Sequence, residues 1–247
     1  MLGLLESEKE MVAITATYID HMGSDLSVVN AARVSFGKKS EWDVDYDNDM
    51  FTGENVLSDR DTKLIHYLAK HKHISPFGHA FASFHIKAPI FVARQLVKHK
   101  FLRWNEISRR YVDDEPEFYV PEVWRGKSAD KKQGSDGVVE LFEFTFEIAD
   151  HQYYGDSHDN GLYASALGVY KVLLKQGVAP EQARMVLPQS TMTEWIWSGS
   201  LDAFSSMCRL RCASDTQYET RIVADQISEK MKELFPVSWT ALMGGVK

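Results

Sequence analysis

Residues 81–87 read Phe-Ala-Ser-Phe-His-Ile-Lys, with apolar and polar side chains in alternation. A two-residue period buries one face and wets the other, so this stretch predicts a strand. Pro89 follows, a residue suited to the first turn of a helix, and residues 90–99 (IFVARQLVKH) are helical in composition. Strand and helix therefore belong to one fold. Residues 11–19 alternate and are rich in Val, Ile, Thr and Tyr, which predicts a second strand.

Further helices are expected over 25–36, capped near Ser24 or Asp25, and from Ser58 or Asp59 to about His71, with Leu64, Ile65 and Leu68 on one stripe. A short helix is expected over 181–187 between Pro180 and Pro188, and longer ones over 201–211 and 216–235. Residues 138–176 read as mainly helical, interrupted near 155–161. Residues 38–55 are polar and acidic without periodicity and read as a surface loop. Residues 73–79 are turn material, 101–111 a mixed loop with a short strand, and 126–137 an exposed linker-like loop. These expectations add up to an α+β fold, a mixed or antiparallel sheet flanked by long helices, in a single domain over 1–247.

The 247 residues are 44% hydrophobic, enough to bury a sizeable core. No apolar run approaches the roughly 20 residues that span a bilayer, and the first residues lack a basic, long-apolar leader. No membrane association and a cytoplasmic location are expected. Cys208 and Cys212 make neither a disulfide scaffold nor a zinc site and are expected to be reduced and mostly buried. The histidines His66, His71, His73, His79, His85 and His99 match no tight ligand spacing, so no metal is expected. The formal net charge of −7 argues against whole-surface attraction to nucleic acid. An anionic ligand then needs a local basic pocket.

Residues 95–111, QLVKHKFLRWNEISRRY, concentrate Lys98, His99, Lys100, Arg103, Arg109 and Arg110 against one acid, Glu106. Phosphate is a natural partner for such groups, and Trp104, Asn105, Glu106 and Ser108 add stacking and base-edge groups. A solvated basic loop laced with salt bridges explains the charge equally well. Residue order favours the first reading. The stretch resembles the signature of the flavin-dependent thymidylate synthases, Arg-His-Arg, seven residues, Ser. It stands here as Lys98-His99-Lys100, seven residues, Ser108. Asn105, Glu106, Ser108, Arg110 and Tyr111 continue the pattern in register. Residues 22–36, 71–79, 84–95, 183–188 and 210–219 resemble further family motifs in order. The departures are the two lysines, Arg103 and Gly78 in place of the residues common in the family, and the Trp197–Leu201 stretch, which lacks the usual Asn-Ala-Arg.

The resemblance implies an enzyme that converts dUMP to dTMP, with 5,10-methylenetetrahydrofolate as carbon donor and FAD, reduced by NADPH, as hydride source. It also implies a homotetramer with sites between subunits. Carried over by position, Gln95, Lys98, Glu106, Ser108, Arg110, Arg184 and Arg211 would face dUMP. Ser75, Lys98, His99, Lys100 and Glu106 would face FAD. Arg211 is the expected catalytic group, a fixed guanidinium that stabilises charge building on the uracil. Ser108 has no evident base beside it in sequence and is expected to bind rather than attack. His73 or His79 is expected to be structural or near the flavin, and Trp195, Trp197 and Phe204 to be core. Three rivals remain: a nucleic-acid-binding module using Lys98–Trp104, a flavin-binding relative that has lost turnover, and a soluble helical scaffold protein, which explains the periodicities but not the ordered motif set.

Overall fold

The computed structural model describes residues 12–47, 50–129, 135–140, 143–148, 151–156 and 161–244. In chain order its strands and helices begin with β1 (Thr15–Met22), α1 (Asp25–Arg33), β2 (Asp43–Asp47), β3 (Met50–Val56), α2 (Asp59–Lys70), β4 (Phe81–Pro89), α3 (Ile90–Leu96) and β5 (Leu102–Glu106). Then come β6 (Trp124–Lys127), β7 (Ser135–Val139), β8 (Glu143–Ile148), β9 (His151–Asp156), α4 (Gly161–Lys175), α5 (Pro180–Ala183) and β10 (Met192–Ser200). The helices α6 (Leu201–Arg211), α7 (Tyr218–Leu234) and α8 (Pro236–Met243) complete the chain. The fold is α+β, as expected, around an antiparallel four-stranded sheet ordered β1-β4-β10-β5.

The chain divides into two compact units. One holds residues 12–14 with Lys87–Arg94 and Glu106–Glu194; the other holds Thr15–Ile86, Gln95–Asn105 and Trp195–Lys247. The backbone passes between them within β4, α3, β5 and β10.

In the second unit the strands show the period that their sequences dictate. Ala82, Phe84 and Ile86 are buried on β4, and Trp195 and Trp197 on β10, with intermediate or exposed residues between them. Phe84 and Trp197 both meet Phe204 of α6 edge-to-face, at 5.4 and 5.6 Å between ring centroids. On α6, Leu201, Phe204 and Cys208 recur at helical spacing and are fully buried. The expected core aromatics are thus core.

Two buried carboxylates tie this unit together. Asp25 opens α1 and accepts the backbone N–H groups of Val237 and Ser238, both at 2.9 Å, thereby capping α8. Asp61 on α2 accepts from Arg33 Nε at 3.0 Å, from Arg33 Nη2 and from Ser40 Oγ at 3.1 Å. Ser58 caps α2, its Oγ accepting the Asp61 N–H at 3.1 Å. Burial raises the Asp61 carboxyl, but the hydrogen bonds from Arg33, Ser40 and Ser58 and the Arg33 charge outweigh it and leave the group below its ordinary value.

The other unit carries the helix α4 and the hairpins β6–β7 and β8–β9, both antiparallel. Phe118 stacks on Tyr163, 5.1 Å between centroids, and Lys87 pairs with Glu117 at 2.5 Å.

Four expectations are corrected. Residues 38–55 are not all loop: β2 and β3 pair antiparallel, because Val44, Tyr46 and Phe51 supply β-forming positions among the acids. Within 126–137, Gly126, Lys127 and residues 135–137 belong to a hairpin; residues 130–134 lie outside the described ones. Apart from Glu140, the described residues of 138–156 are strand rather than helix, since Phe144, Phe146 and Ile148 recur at period two. The helix expected over 90–99 ends at Leu96, and Val97–Phe101 form a turn closed by the His99 N–H on the Leu96 carbonyl at 3.1 Å. Smaller shifts occur elsewhere. The first strand runs Thr15–Met22, with Met11 outside the described residues, and the expected first helix continues past Arg33 as a 3₁₀ turn to Phe36. Gly37 then ends it in the left-handed region, φ 61°.

Candidate functional site

Arg211 ends α6, one turn beyond the stripe Leu201–Phe204–Cys208, so packing draws it inward and leaves it half-buried. A cation in the last turn also complements the helix dipole. Its Nε donates to His99 Nε2 at 3.0 Å, and its Nη2 donates to the backbone carbonyl of Gln95 at 3.3 Å. Both partners come from the end of α3 and the turn after it. The Gln95 side-chain N–H donates to Gln217 Oε1 at 2.6 Å. Gln217 holds the N-cap position of α7. Four residues from 95–99 and 211–217 therefore form one connected polar group.

The electrostatics of this group are unusual. Burial, then the Arg211 charge, lowers the His99 imidazole below its ordinary value, so it is neutral near pH 7. Since Nε2 accepts from Arg211, the ring proton sits on Nδ1. Burial alone lowers Arg211, and no carboxylate among the described residues pairs with it. A guanidinium oriented only by neutral acceptors keeps its whole charge for a ligand.

Lys98, Lys100 and Arg103 are exposed beside this group in sequence, and none meets an acid among the described residues. The turn that carries them includes Phe101, which is 83% exposed and holds φ 65°. Left-handed backbone at a bulky residue is strained. Gly199 of β10 allows the close approach of this turn: a Cβ there would stand 2.4 Å from Leu102 Cδ2 and 3.1 Å from the Phe101 carbonyl.

The remaining expected residues fall as follows. Ser75 is exposed at the start of a 3₁₀ turn, Ser75–His79, whose Pro76 and Phe77 are buried. A Cβ on Gly78 would lie 3.9 Å from Asp202 Oδ1, so a carboxylate stands beside this turn although position 78 has none. Ser75, Gln95, Lys98, His99, Lys100 and Arg211 all belong to the second unit; Glu106, Ser108, Arg110 and Arg184 belong to the first. Of the latter, Glu106 accepts from buried Thr193 Oγ1 at 2.7 Å. Ser108 opens a turn, its carbonyl accepting the Tyr111 N–H at 3.0 Å and its Oγ the Arg110 N–H at 3.4 Å. No imidazole or carboxylate bonds that hydroxyl among the described residues. Arg110 Nη2 donates to the Tyr111 hydroxyl at 2.8 Å, and Arg184 Nε to the Glu181 carbonyl at 3.3 Å.

Two residues of the basic stretch have partners within their own units. Arg109 donates to the Asp114 carbonyl at 2.9 Å and closes its own loop. Trp104 stacks on Trp195 with centroids 4.2 Å apart and planes at 19°, so one face of the expected stacking group is already occupied. His71 and His73 lie against Tyr67, at 4.3 and 6.1 Å between centroids. No group of residues suited to a metal occurs among the described ones. Both cysteines are free thiols, Cys208 buried and raised far above its ordinary value by that burial.

Residues 17–237 match the family described as thymidylate synthase complementing protein. The chain belongs to this family. A flavin-dependent thymidylate synthase of Thermus thermophilus is 38% identical over 223 residues, 90% of this chain and 73% of that one. That of Kosmotoga olearia is 37% identical over 234 residues, 91% of this chain and 88% of the relative. Among solved structures, a UMP/dUMP methylase, PolB of Streptomyces cacaoi bound with 5-Br UMP, superposes with a TM-score of 0.70 at 29% identity, covering 94% of each chain. Against that family background, Gln217 is the residue that sequence reading passed over. It lies within the matched stretch 210–219, yet only its bond to Gln95 marks it out.

Proposed function

We propose that this protein is a flavin-dependent thymidylate synthase, which methylates dUMP to dTMP with 5,10-methylenetetrahydrofolate as carbon donor and FAD, reduced by NADPH, as hydride source. The observation that carries the reading is Arg211, a half-buried guanidinium held by His99 and Gln95 with no counter-ion among the described residues, in a chain whose family match spans 17–237. The flavin supplies the hydride chemistry. Lys98 and Lys100, exposed cations without acidic partners among the described residues, suit its anionic diphosphate, with Ser75, His99 and Glu106 as further contacts.

Arg211 stabilises the charge that builds on the pyrimidine as its C5 becomes nucleophilic, a preorganised electrostatic role. Arg110 and Arg184 bind the nucleotide phosphate, and Gln95, Lys98, Glu106 and Ser108 contact its remaining polar groups. The chain acts as one functional domain, in the cytoplasm and without nucleic acid. No helix among the described residues is long and apolar enough to cross a membrane. A homotetramer, as the family resemblance implies, completes the reading.

The test supplies the purified protein with FAD, dUMP, methylenetetrahydrofolate and NADPH. The expected result is a yellow holoenzyme that forms dTMP. Flavin binding without dTMP would leave a relative devoid of turnover and overturn the reading.

A further inference from the structure

The polar group at 95–99 and 211–217 has a defined hydrogen-bond polarity. Gln95 spends one of its two amide N–H groups on Gln217 Oε1, at 2.6 Å, so its own Oε1 is left as an acceptor beside the second N–H. Arg211 spends Nε on His99 and one Nη2 proton on the Gln95 carbonyl. Its other N–H groups have no protein acceptor among the described residues, and a guanidinium offers donors only. Arg211 lies against the backbone of Gln95 itself, so the two ends present a donor and an acceptor from neighbouring residues.

A uracil ring carries a carbonyl beside an imide N–H, which is the complement of that pair. Cytosine reverses it at N3 and at the exocyclic amine. The bound base itself closes off these partly exposed groups, and one of the wrong polarity leaves them covered but unpaired.

We infer that Gln217 and His99 are positioning residues that make this site read a uracil imide: Gln217 fixes the Gln95 amide with its oxygen free, and His99 fixes the Arg211 guanidinium. Neither acts on the substrate directly. The inference rests on the proposed function, since it takes Gln95 and Arg211 to face the pyrimidine. Its distinct content is that a residue outside that set governs base selection.

The test measures dissociation constants of dUMP and dCMP on the FAD-loaded protein, with flavin loading checked by absorbance and folding by thermal melting. Wild type is expected to prefer dUMP at least tenfold. Gln217→Lys forces a donor onto Gln95, turns its amide over and should shrink that preference about tenfold, chiefly by weakening dUMP. Gln217→Glu keeps an acceptor and should retain the preference. For the other arm, His99→Phe should weaken dUMP binding at least tenfold, and His99→Gln, which restores an acceptor, should recover most of it. A Gln217→Lys preference equal to wild type, or an equal loss for both nucleotides, overturns the Gln217 assignment. Failure of His99→Gln to improve on His99→Phe overturns the His99 assignment. Wild-type protein that binds neither nucleotide would instead sink the proposed function.

Discussion

Replacing Asp61 with Asn tests the buried ion pair that holds α1 to α2. The Arg33 and Asp61 side chains are 11% and 4% exposed, so solvent screens the pair little. Asn keeps an oxygen for Ser40 but loses the charge, leaving the Arg33 guanidinium buried without a counter-ion. Breaking such a pair from one side costs roughly 3–5 kcal/mol. The retained oxygen and the surviving Ser58 cap place Asp61→Asn near the lower end, about 3 kcal/mol. Arg33→Met strands the carboxylate and should cost a similar amount. The double variant Arg33→Met/Asp61→Leu buries no charge at all, and apolar replacement of a buried pair is close to neutral, so it should lie within about 1 kcal/mol of wild type. Chemical denaturation monitored by tryptophan fluorescence gives all four stabilities. If the double variant loses the sum of the two single losses, or if Asp61→Asn costs under about 1 kcal/mol, the pair does not act as argued.

Other outcomes follow from the same geometry. Because the folded Asp61 carboxyl sits below its ordinary value, its contribution is complete above about pH 4 and disappears as pH falls through the lowered value; Asp61→Asn should flatten this acid limb of the stability curve. His99 is also lowered, so the unfolded chain binds its proton first, and stability should decline as pH drops from about 6.5 toward the folded value. NMR titration of His99 at or above about 6.5 would contradict this. Arg211→Lys retains charge but not the fork, and should lower kcat about 10²-fold or more with FAD still bound; an unaltered kcat would remove Arg211 from the chemistry. Gly199→Ala should push Leu102 and the Phe101 carbonyl and destabilise by about 1–3 kcal/mol in thermal melts.

Much of the second unit is legible in the sequence because its signals are local. Phe81–Lys87 alternates within one strand, and Leu201, Phe204 and Cys208 keep step within one helix. Ser58 announces the start of α2 by a single hydroxyl. The strand β10 escapes sequence reading although Thr193, Trp195 and Trp197 alternate, because its flanks of Ser and Gly read as loop and its indoles fit either element. The hairpins escape it for another reason. A strand such as Trp124–Lys127 is four residues long, and its partner Ser135–Val139 begins only after an intervening polar stretch, so pairing rather than local preference decides it. At the site, resemblance supplies the names Gln95, His99 and Arg211, but not who touches whom. The two partners of Arg211 lie 112 and 116 residues away along the chain, and a contact of that separation leaves no periodicity to read.

The clasp of Asp25 on Val237 and Ser238 has a bearing on biosynthesis. It joins positions 212 and 213 residues apart, so a nascent chain emerging from the ribosome holds a carboxylate whose two backbone donors have not yet been translated. Until they arrive, α1 lacks its closing partner and nearby apolar surface stays open to chaperones. This seal can close only after the segment that carries Val237 and Ser238 has been made.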